Sequence, residues 1–343
     1  MKRQTLFFTA PRQVELREET LPALGADEVL VETLCSAISA GTEMLVYHGR
    51  FPRDVEADAA IPSLRGRFEY PLAFGYAAVG VVRETGTHVD KSWRDRLVFA
   101  FQPHTSSFII HPSSLIPIPQ LLSPKSACFL PNMETAVNLV QDGAPLLGER
   151  VMVFGQGVVG LLTASLLSEF PLERLVTADC YELRRCSLNV ERLTFSTERF
   201  LSLNPDAADF RSRLSGYAQD GFDLVYELTG RPETLNDAIT AARFSGRVVI
   251  GSWYGEKRAP IDLGGAFHRS RIKLISSQVS TIAPELSARW DKSRRFEVAW
   301  DALKRIQPEK WITHRFPLSQ AADAYRLLEE RPQETIQVII TYP

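Results

Sequence analysis

The sequence predicts an α/β fold in which a parallel, doubly wound sheet is inserted into a β-rich chain. From Ser126 to Gln278, apolar strand-like runs alternate with helical patterns, which is typical of a parallel sheet with helices on both faces. Before this part, short strand-like runs lie between Gly, Pro and charged turns, and a last run follows it. We therefore predict a β-rich domain of residues 1–124 and 279–343 and an inserted α/β domain of residues 125–278.

The β-rich part is predicted from short runs of strand-forming residues and two helical patterns. The predicted strands are Val29–Leu34, Ala78–Val82, Arg96–Phe101, Ser107–Ile110 and Thr335–Ile340, and the helices are Trp290–Ile306 and Ser319–Leu328. The polar, proline-bearing segment Arg50–Pro71 predicts a long loop, and such loops are often lids or disordered.

In the inserted part, strands and helices alternate along the chain. The predicted strands are Val151–Phe154, Leu175–Ala178, Phe222–Leu228, Gly246–Gly251 and Ile272–Ser276, and the helices are Met133–Asp142, Tyr181–Arg192 and Glu233–Ala242. Asn132 is the predicted N-cap of the first of these helices, and Gly143 is its predicted stop.

A glycine-rich turn follows the first strand of the inserted part and opens a helical pattern. Its sequence is G-x-G-x-x-G, and Asp179 follows nineteen residues after its last glycine, at the end of the next strand. Strand, turn, helix and acid in this order predict a dinucleotide-binding (Rossmann) unit, with phosphates at the helix N-terminus and the acid on the ribose. The turn consists of Gly155, Gln156, Gly157, Val158, Val159 and Gly160. The alternative is a glycine turn in another βαβ unit, with Asp179 capping the next helix.

The dinucleotide is predicted to be NAD, with NADP as the alternative. Asp179 would repel a 2′-phosphate, whereas Arg184 lies close enough in sequence to hold one. Thr229, Gly230 and Gly251 fall at strand C-termini, where doubly wound sheets bind their ligands.

Composition excludes several classes of partner. The formal net charge of −2, without a long charge run, argues against nucleic acid, and no apolar run approaches the roughly 20 residues of a membrane helix. The N-terminal apolar stretch is too short for a signal peptide, so we expect a cytoplasmic protein. The four cysteines form no C-x-x-C pair, and we expect buried free thiols.

The order of these parts resembles the medium-chain dehydrogenase/reductase superfamily, the alcohol dehydrogenase and quinone reductase group. The resemblance covers essentially the whole chain and implies a GroES-like catalytic domain around the Rossmann domain. It also implies a homodimer, in which the edge strand Ile272–Ser276 pairs with its copy. The matching segments are Ser36–Glu43, Phe74–Gly80, Asp95–Val98 and Gly148–Gly155.

The chain departs from the zinc enzymes of this superfamily at their metal ligands. Ser39 or Ala40 stands where they have Cys, Tyr76 and Ala77 stand where they have His and Glu, and Leu130 takes the third place. Catalytic zinc needs three N, S or O ligands, so the resemblance is to the zinc-lacking branch and we expect no metal. A shorter resemblance, through Gly41–Glu43 and Tyr70–Tyr76, is to bacteriochlorophyllide hydroxyethyl dehydrogenases.

Without zinc, hydrogen-bond donors must stabilise charge on the substrate oxygen. Thr42 matches the superfamily's proton-relay hydroxyl and is our first catalytic candidate, with a turn or cap threonine as the alternative. Tyr76 is the second candidate, as a proton donor, or else a packing aromatic. Ser39 is a weaker donor candidate, and Glu43 is expected to be structural.

Four further residues are candidate substrate contacts. Aromatic residues that match the cleft region suggest a bulky, apolar or flat small-molecule substrate, although core packing explains aromatics equally well. The four candidates are Tyr47, His104, Glu134 and Trp253.

Three functions fit the sequence. The first is a zinc-independent alcohol/ketone oxidoreductase, the second an NADPH-dependent enone or quinone double-bond reductase, and the third a nucleotide-binding sensor without catalysis. We rank them in that order.

Overall fold

The computed structural model describes residues 1–52, 69–188 and 199–343. The chain divides into two compact units, one of Met1–Pro131 with Leu303–Pro343 and one of Asn132–Ala302. The second unit lies between the two stretches of the first, and the predicted domain bounds of 124 and 278 stay a prediction. Residues 292–302 of the helix Lys292–Ile306 belong to the second unit, where Arg295 bonds to Glu134.

The first unit is built mainly from antiparallel strands, as the short alternating runs predict. Its strands are β1 Lys2–Ala10, β2 Gln13–Thr20, β3 Val29–Ile38, β4 Leu72–Ala73, β5 Ala78–Thr85, β6 Leu97–Ala100, β7 Ser107–Ile110, β8 Ile116–Pro117, β15 Ile312–Pro317 and β16 Gln337–Thr341. Its helices are α1 Ala40–Tyr47, α2 Pro124–Ala127 and α9 Ala321–Glu330.

Two sheets form this unit in the described residues. One has the order β15-β16-β3-β5-β6-β8, with β7 also paired to β3, and the other has the order β2-β1-β4. Helices α1 and α9 contribute to a core with Phe8, Phe74 and Tyr325, in which aromatic edges and faces meet. This core fixes the start of α1, which carries the candidate hydroxyls.

The second unit alternates strands and helices. Its strands are β9 Arg150–Phe154, β10 Arg174–Ala178, β11 Phe200–Leu203, β12 Phe222–Glu227, β13 Ala242–Ile250 and β14 Lys273–Ser276. Its helices are α4 Val158–Leu167, α5 Glu182–Arg185, α6 Phe210–Tyr217 and α7 Thr234–Ala241, together with most of α3 Leu130–Gly143 and the first part of α8 Lys292–Ile306.

All six strands of this unit run parallel, in the order β11-β10-β9-β12-β13-β14. This is the 3-2-1-4-5-6 order of the doubly wound dinucleotide fold, so the predicted fold class is confirmed. The chain reverses direction across the sheet between β9 and β12, and ligands bind such folds at the C-terminal ends of the strands flanking this point.

Two local predictions change, and a third lies mostly outside the described residues. Asn132 is not an N-cap, because helix α3 begins at Leu130 and Asn132 lies inside its first turn. The helix predicted from Tyr181 begins at Glu182, and the described part ends at Arg185; the rest of that prediction falls partly on residues 189–198, outside the described residues. Most of the predicted loop Arg50–Pro71 also lies outside them.

The cysteine prediction holds for part of the set. Cys35 and Cys128 are buried free thiols whose sulfur atoms lie 3.3 Å apart, and this hydrogen bond together with burial raises the pKa of the Cys128 thiol. Cys186, in contrast, is exposed.

Candidate functional site

The glycine turn of the second unit has the geometry that a dinucleotide pyrophosphate requires. Gly155 has a φ of +90°, and a Cβ there would lie 2.6 Å from the Leu228 carbonyl oxygen. A Cβ on Gly160 would lie 1.9 Å from the Gly155 carbonyl oxygen, so both positions require glycine. Gly157 is the N-cap residue of α4, and a Cβ there would meet no described atom within 4 Å. The backbone is therefore open to a ligand at the helix N-terminus, where N–H groups and dipole favour phosphate.

Asp179 lies beside this turn, at the end of β10. Its Oδ2 accepts a hydrogen bond of 2.7 Å from the Gln156 N–H, and its Oδ1 accepts one of 2.8 Å from the Tyr181 N–H. The Arg184 guanidinium lies 4.0 Å from Oδ2 and above the ring of Tyr181. Asp179 and Arg184 thus lie together at the turn, as the sequence predicts, and these residues fit the ribose end of a dinucleotide.

The end of β12 carries a buried carboxylate that sequence reasoning missed. Glu227 is fully buried, and its Oε1 accepts hydrogen bonds from the N–H and the hydroxyl of Thr229, at 2.8 and 2.5 Å. Its Oε2 accepts a hydrogen bond of 2.5 Å from the Tyr254 hydroxyl. Burial, and to a lesser extent the charge of Glu227, raises the pKa of the Tyr254 phenol. Glu227 therefore fixes the turn that bears Thr229. The available signal was an acid that follows the run Leu224–Tyr226 at the end of the strand.

Two other predicted cofactor residues have clear structural environments. The Gly230 N–H donates a 2.9 Å hydrogen bond to the Ser252 hydroxyl. A Cβ on Gly251 would lie 2.5 Å from a methyl group of Leu139, so packing alone requires glycine there. Trp253, just after this strand end, is 39% exposed and can reach a ligand.

In the first unit, the structure brings Ser39 and Tyr76 together. The Tyr76 hydroxyl donates a short hydrogen bond to the Ser39 hydroxyl oxygen. Ser39 occupies the N-cap position of α1, where a serine hydroxyl ordinarily accepts from the helix backbone, but within the described residues it makes no such capping bond. Thr42 is half-buried in the first turn of the same helix, and its N–H donates to the Ser39 carbonyl oxygen at 3.1 Å.

Glu43 holds the backbone of the N-cap residue. Its Oε1 accepts a 2.7 Å hydrogen bond from the Ser39 N–H, the same donor that a capping-box glutamate satisfies. Its Oε2 accepts from Tyr325 at 2.5 Å and lies 2.9 Å from His104 Nε2. Burial and the Glu43 charge raise the pKa of Tyr325. The expected structural role of Glu43 is consistent with these contacts.

Three candidate substrate contacts have environments other than the expected one. His104 is 1% exposed and bonded within the core, and Tyr47 is 6% exposed and stacked on Tyr325. Glu134 is buried in the second unit and ion-paired to Lys292 and Arg295. Their contact with substrate stays a prediction, and the packing alternative explains Tyr47 fully.

The donor set at the zinc-ligand positions does not fit zinc. Ser39 and Tyr76 each carry a hydroxyl, whereas the side chains of Ala77 and the fully buried Leu130 carry no atom that could ligate a metal. In the part of the chain that the structure describes, no three His, Cys, Asp or Glu side chains are grouped as a metal site would require. Zinc sites use thiolate, imidazole and carboxylate ligands, so we derive no chemistry through a metal.

Comparison with known proteins relates the whole chain to dehydrogenases. No family model matches it. D-Guloside 3-dehydrogenase of Escherichia coli K12 is 22% identical over 98% of this chain and 99% of its own. The alcohol dehydrogenase rspB of Escherichia coli CFT073, solved with NADH, superposes with a TM-score of 0.75 at 18% identity, covering 99% of both chains.

A third comparison adds the other nucleotide. A Sinorhizobium meliloti 1021 protein assigned as a zinc-binding dehydrogenase, solved with NADP, gives a TM-score of 0.76 at 18% identity over 99% of both chains. The chain is therefore similar over its whole length to dehydrogenases, and it shares the fold of an alcohol dehydrogenase. Because this last neighbour is assigned as zinc-binding, the resemblance to the zinc-lacking branch and to bacteriochlorophyllide enzymes stays a prediction. Every described helix is too short or too polar to span a lipid bilayer.

Proposed function

We propose that this chain oxidises a secondary alcohol to a ketone, or catalyses the reverse reaction, with a nicotinamide dinucleotide and without zinc. The observation that carries the proposal is the hydrogen bond from the Tyr76 hydroxyl to Ser39 Oγ. Within the described residues, the Ser39 side chain makes no capping bond to the helix backbone. The bound nicotinamide would supply or accept the hydride. The remaining task of the protein is to manage the proton and the charge on the substrate oxygen.

The direction of the hydroxyl bond assigns the two roles. Because Tyr76 donates to Ser39, the Ser39 hydroxyl hydrogen is left to donate elsewhere, and donation from Tyr76 polarises it. Ser39 would therefore be the direct donor to a carbonyl oxygen, with Tyr76 behind it. This reverses the order that the sequence suggested. Thr42, in the first turn of α1, is the third candidate hydroxyl beside Ser39 and Tyr76.

The cofactor part of the proposal is supported by the glycine turn and by relatives that bind NADH and NADP. Asp179 supports NAD, while Arg184 keeps NADP open. The substrate part is supported by D-guloside 3-dehydrogenase, whose name specifies oxidation at position 3 of a guloside, a glycoside that bears secondary hydroxyl groups. The aromatic argument for a bulky apolar substrate is weaker, because Tyr47 and Phe51 are buried in the core.

The experiment measures alcohol oxidation with NAD and with NADP, with and without EDTA, on arabinitol, cyclohexanol and 1-phenylethanol. We expect turnover that EDTA leaves unchanged. Removal of one donor to a developing oxyanion costs about 100-fold in kcat, so Ser39→Ala should lose about that much and Tyr76→Phe about tenfold. Exposed Ser114→Ala is the matched control. Turnover abolished by EDTA, or full activity in both variants, would contradict the proposal.

The other two functions are outcomes of the same assay. Faster reduction of cyclohexenone than of cyclohexanone would favour the double-bond reductase. Nucleotide binding without turnover on any of these compounds would favour the sensor.

A further inference from the structure

The first unit contains a buried chain of hydrogen-bonding side chains that begins at the start of α1. Glu43 is fully buried, and its carboxylate takes hydrogen bonds from the Ser39 N–H at 2.7 Å and from Tyr325 at 2.5 Å. His104 Nε2 lies 2.9 Å from the same carboxylate. The three groups come from the start of α1, from α9 and from the segment before β7.

The chain continues beyond the imidazole. His104 Nδ1 lies 2.6 Å from Ser36 Oγ, and Ser36 Oγ lies 2.7 Å from the Tyr342 hydroxyl. Both ring nitrogens of His104 are therefore within hydrogen-bond distance of a side chain, Nε2 of a carboxylate and Nδ1 of a hydroxyl, and these two neighbours fix the orientation of the ring.

Stability alone is a poor reason to place this carboxylate in the core. A buried charge is costly to desolvate, and apolar side chains of similar size often serve a fold equally well. Within the described residues, no Lys or Arg side chain forms an ion pair with Glu43, and its side-chain partners are His104 and Tyr325. The effect of the carboxylate is local: it accepts from the Ser39 N–H and so holds the backbone of the residue whose hydroxyl bonds to Tyr76.

We infer that Glu43 and His104 are positioning residues for the hydroxyl pair of Ser39 and Tyr76. Glu43 fixes the Ser39 backbone, and His104 fixes the orientation of the Glu43 carboxylate. Gly75 makes room for this, because a Cβ there would lie 2.9 Å from the His104 ring. The role assigned to the hydroxyl pair rests on the proposed function, whereas its positioning can be tested without substrate.

The test is carbon-13 NMR of the full chain labelled at the tyrosine ring carbon that bears the hydroxyl. Nine tyrosines give nine resonances, and Tyr76→Phe identifies one of them. Ser39→Ala breaks the hydroxyl bond and sets the size and direction of the expected shift. We expect Glu43→Gln to move the Tyr76 resonance the same way, by at least half as much. Glu149→Gln, which removes an arginine-paired carboxylate in the other unit, should leave it in place.

A second pair of variants covers a Glu43→Gln that does not fold. His104→Gln keeps a donor toward Glu43 and should hold the Tyr76 resonance near its wild-type position, whereas His104→Leu should move it. With cyclohexanol as the probe alcohol, the shifted variants should lose at least tenfold in kcat with little change in KM for NAD.

A Tyr76 resonance that stays in place in folded Glu43→Gln or in His104→Leu would overturn the inference. A resonance that moves in a protein without alcohol turnover would leave the positioning intact and contradict only the proposed function.

Discussion

The carboxylate of Asp179 is already hydrogen-bonded within the protein, because the N–H groups of Gln156 and Tyr181 each donate to one of its oxygens. Each oxygen has a further lone pair, so the same group can also accept from a ribose hydroxyl. It therefore holds the glycine turn and would recognise the ribose, and the two tasks are separable by substitution.

Asp179→Ala should weaken NAD binding about tenfold or more, because a hydrogen bond to a charged group contributes about 1.5–3 kcal/mol. NADP binding should be weakened less, since the repulsion of the 2′-phosphate is removed along with the bond. Fluorescence titration with NADH and NADPH measures both. The counterpart is Arg184→Ala, which should lower the affinity for NADPH more than the affinity for NADH. Equal losses for both nucleotides in Asp179→Ala would show that the carboxylate serves only the turn.

How far the sequence predicts this site depends on whether its partners are close in the chain. The turn Gly155–Gly160 and Asp179 follow from spacing, because one βαβ unit fixes them locally. Glu43 and His104 are 61 residues apart, and Glu43 and Tyr325 are 282 apart, so nothing in the spacing joins them. The proposed order of Ser39 and Tyr76 as proton donors also rests on the hydrogen bond between them. The two residues are 37 apart in the sequence, so only the fold reveals this bond.

At the scale of elements, α8 shows the same limit. A charged helix start with Lys292 and Arg294 is typical of a solvated face, but the side chain of the next residue, Arg295, is fully buried. Arg295 donates to Glu134 on α3 at 2.9 and 3.1 Å and to Asn138 at 2.5 Å. Glu134 is 161 residues away in the sequence, so the charge pattern alone could not identify the partner.

Arg295→Ala should lower the free energy of unfolding by about 3–5 kcal/mol, because it removes the main partner of a buried carboxylate and leaves a cavity. The double variant Glu134→Gln with Arg295→Met should recover part of this loss, since neither buried charge then remains. Urea unfolding of the wild-type chain, of Arg295→Ala and of the double variant measures the loss and its recovery. Arg294→Ala, at an exposed neighbour on the same helix, is the control. A loss below about 1 kcal/mol in Arg295→Ala would show that Lys292 alone suffices for Glu134.

At the scale of the whole molecule, the expected homodimer stays a prediction, and the structure suggests a direct test of it. Strand β14 is the edge of the described six-stranded sheet. The Ser277 N–H donates to the Ile250 carbonyl oxygen on β13. Because backbone groups alternate in direction along a strand, those of Ile275 also point toward β13, whereas those of Leu274 and Ser276 point away from the sheet. Ser276→Pro should therefore abolish edge pairing and keep the pairing with β13. Sedimentation velocity should show a monomer for Ser276→Pro and a dimer for Ser276→Ala; an unchanged dimer would exclude this edge.

Nucleotide binding also acts on the whole molecule, because a ligand that binds only the folded state stabilises it by RT ln(1 + [L]/Kd). At about 100 times its Kd, the preferred nucleotide should add about 2.7 kcal/mol. We expect NADH to shift the thermal midpoint more than NADPH, and we expect EDTA to leave every shift and the apo midpoint unchanged.

Gly157→Val is the matched variant. A Cβ there meets no described atom within 4 Å, so the fold should tolerate the substitution, while the branched side chain blocks the approach of a pyrophosphate. Loss of the shift in this variant at an unchanged apo midpoint would place the phosphates at the N-terminus of α4. A shift that survives Gly157→Val would contradict that site, and a midpoint lowered by EDTA would contradict the zinc-free proposal.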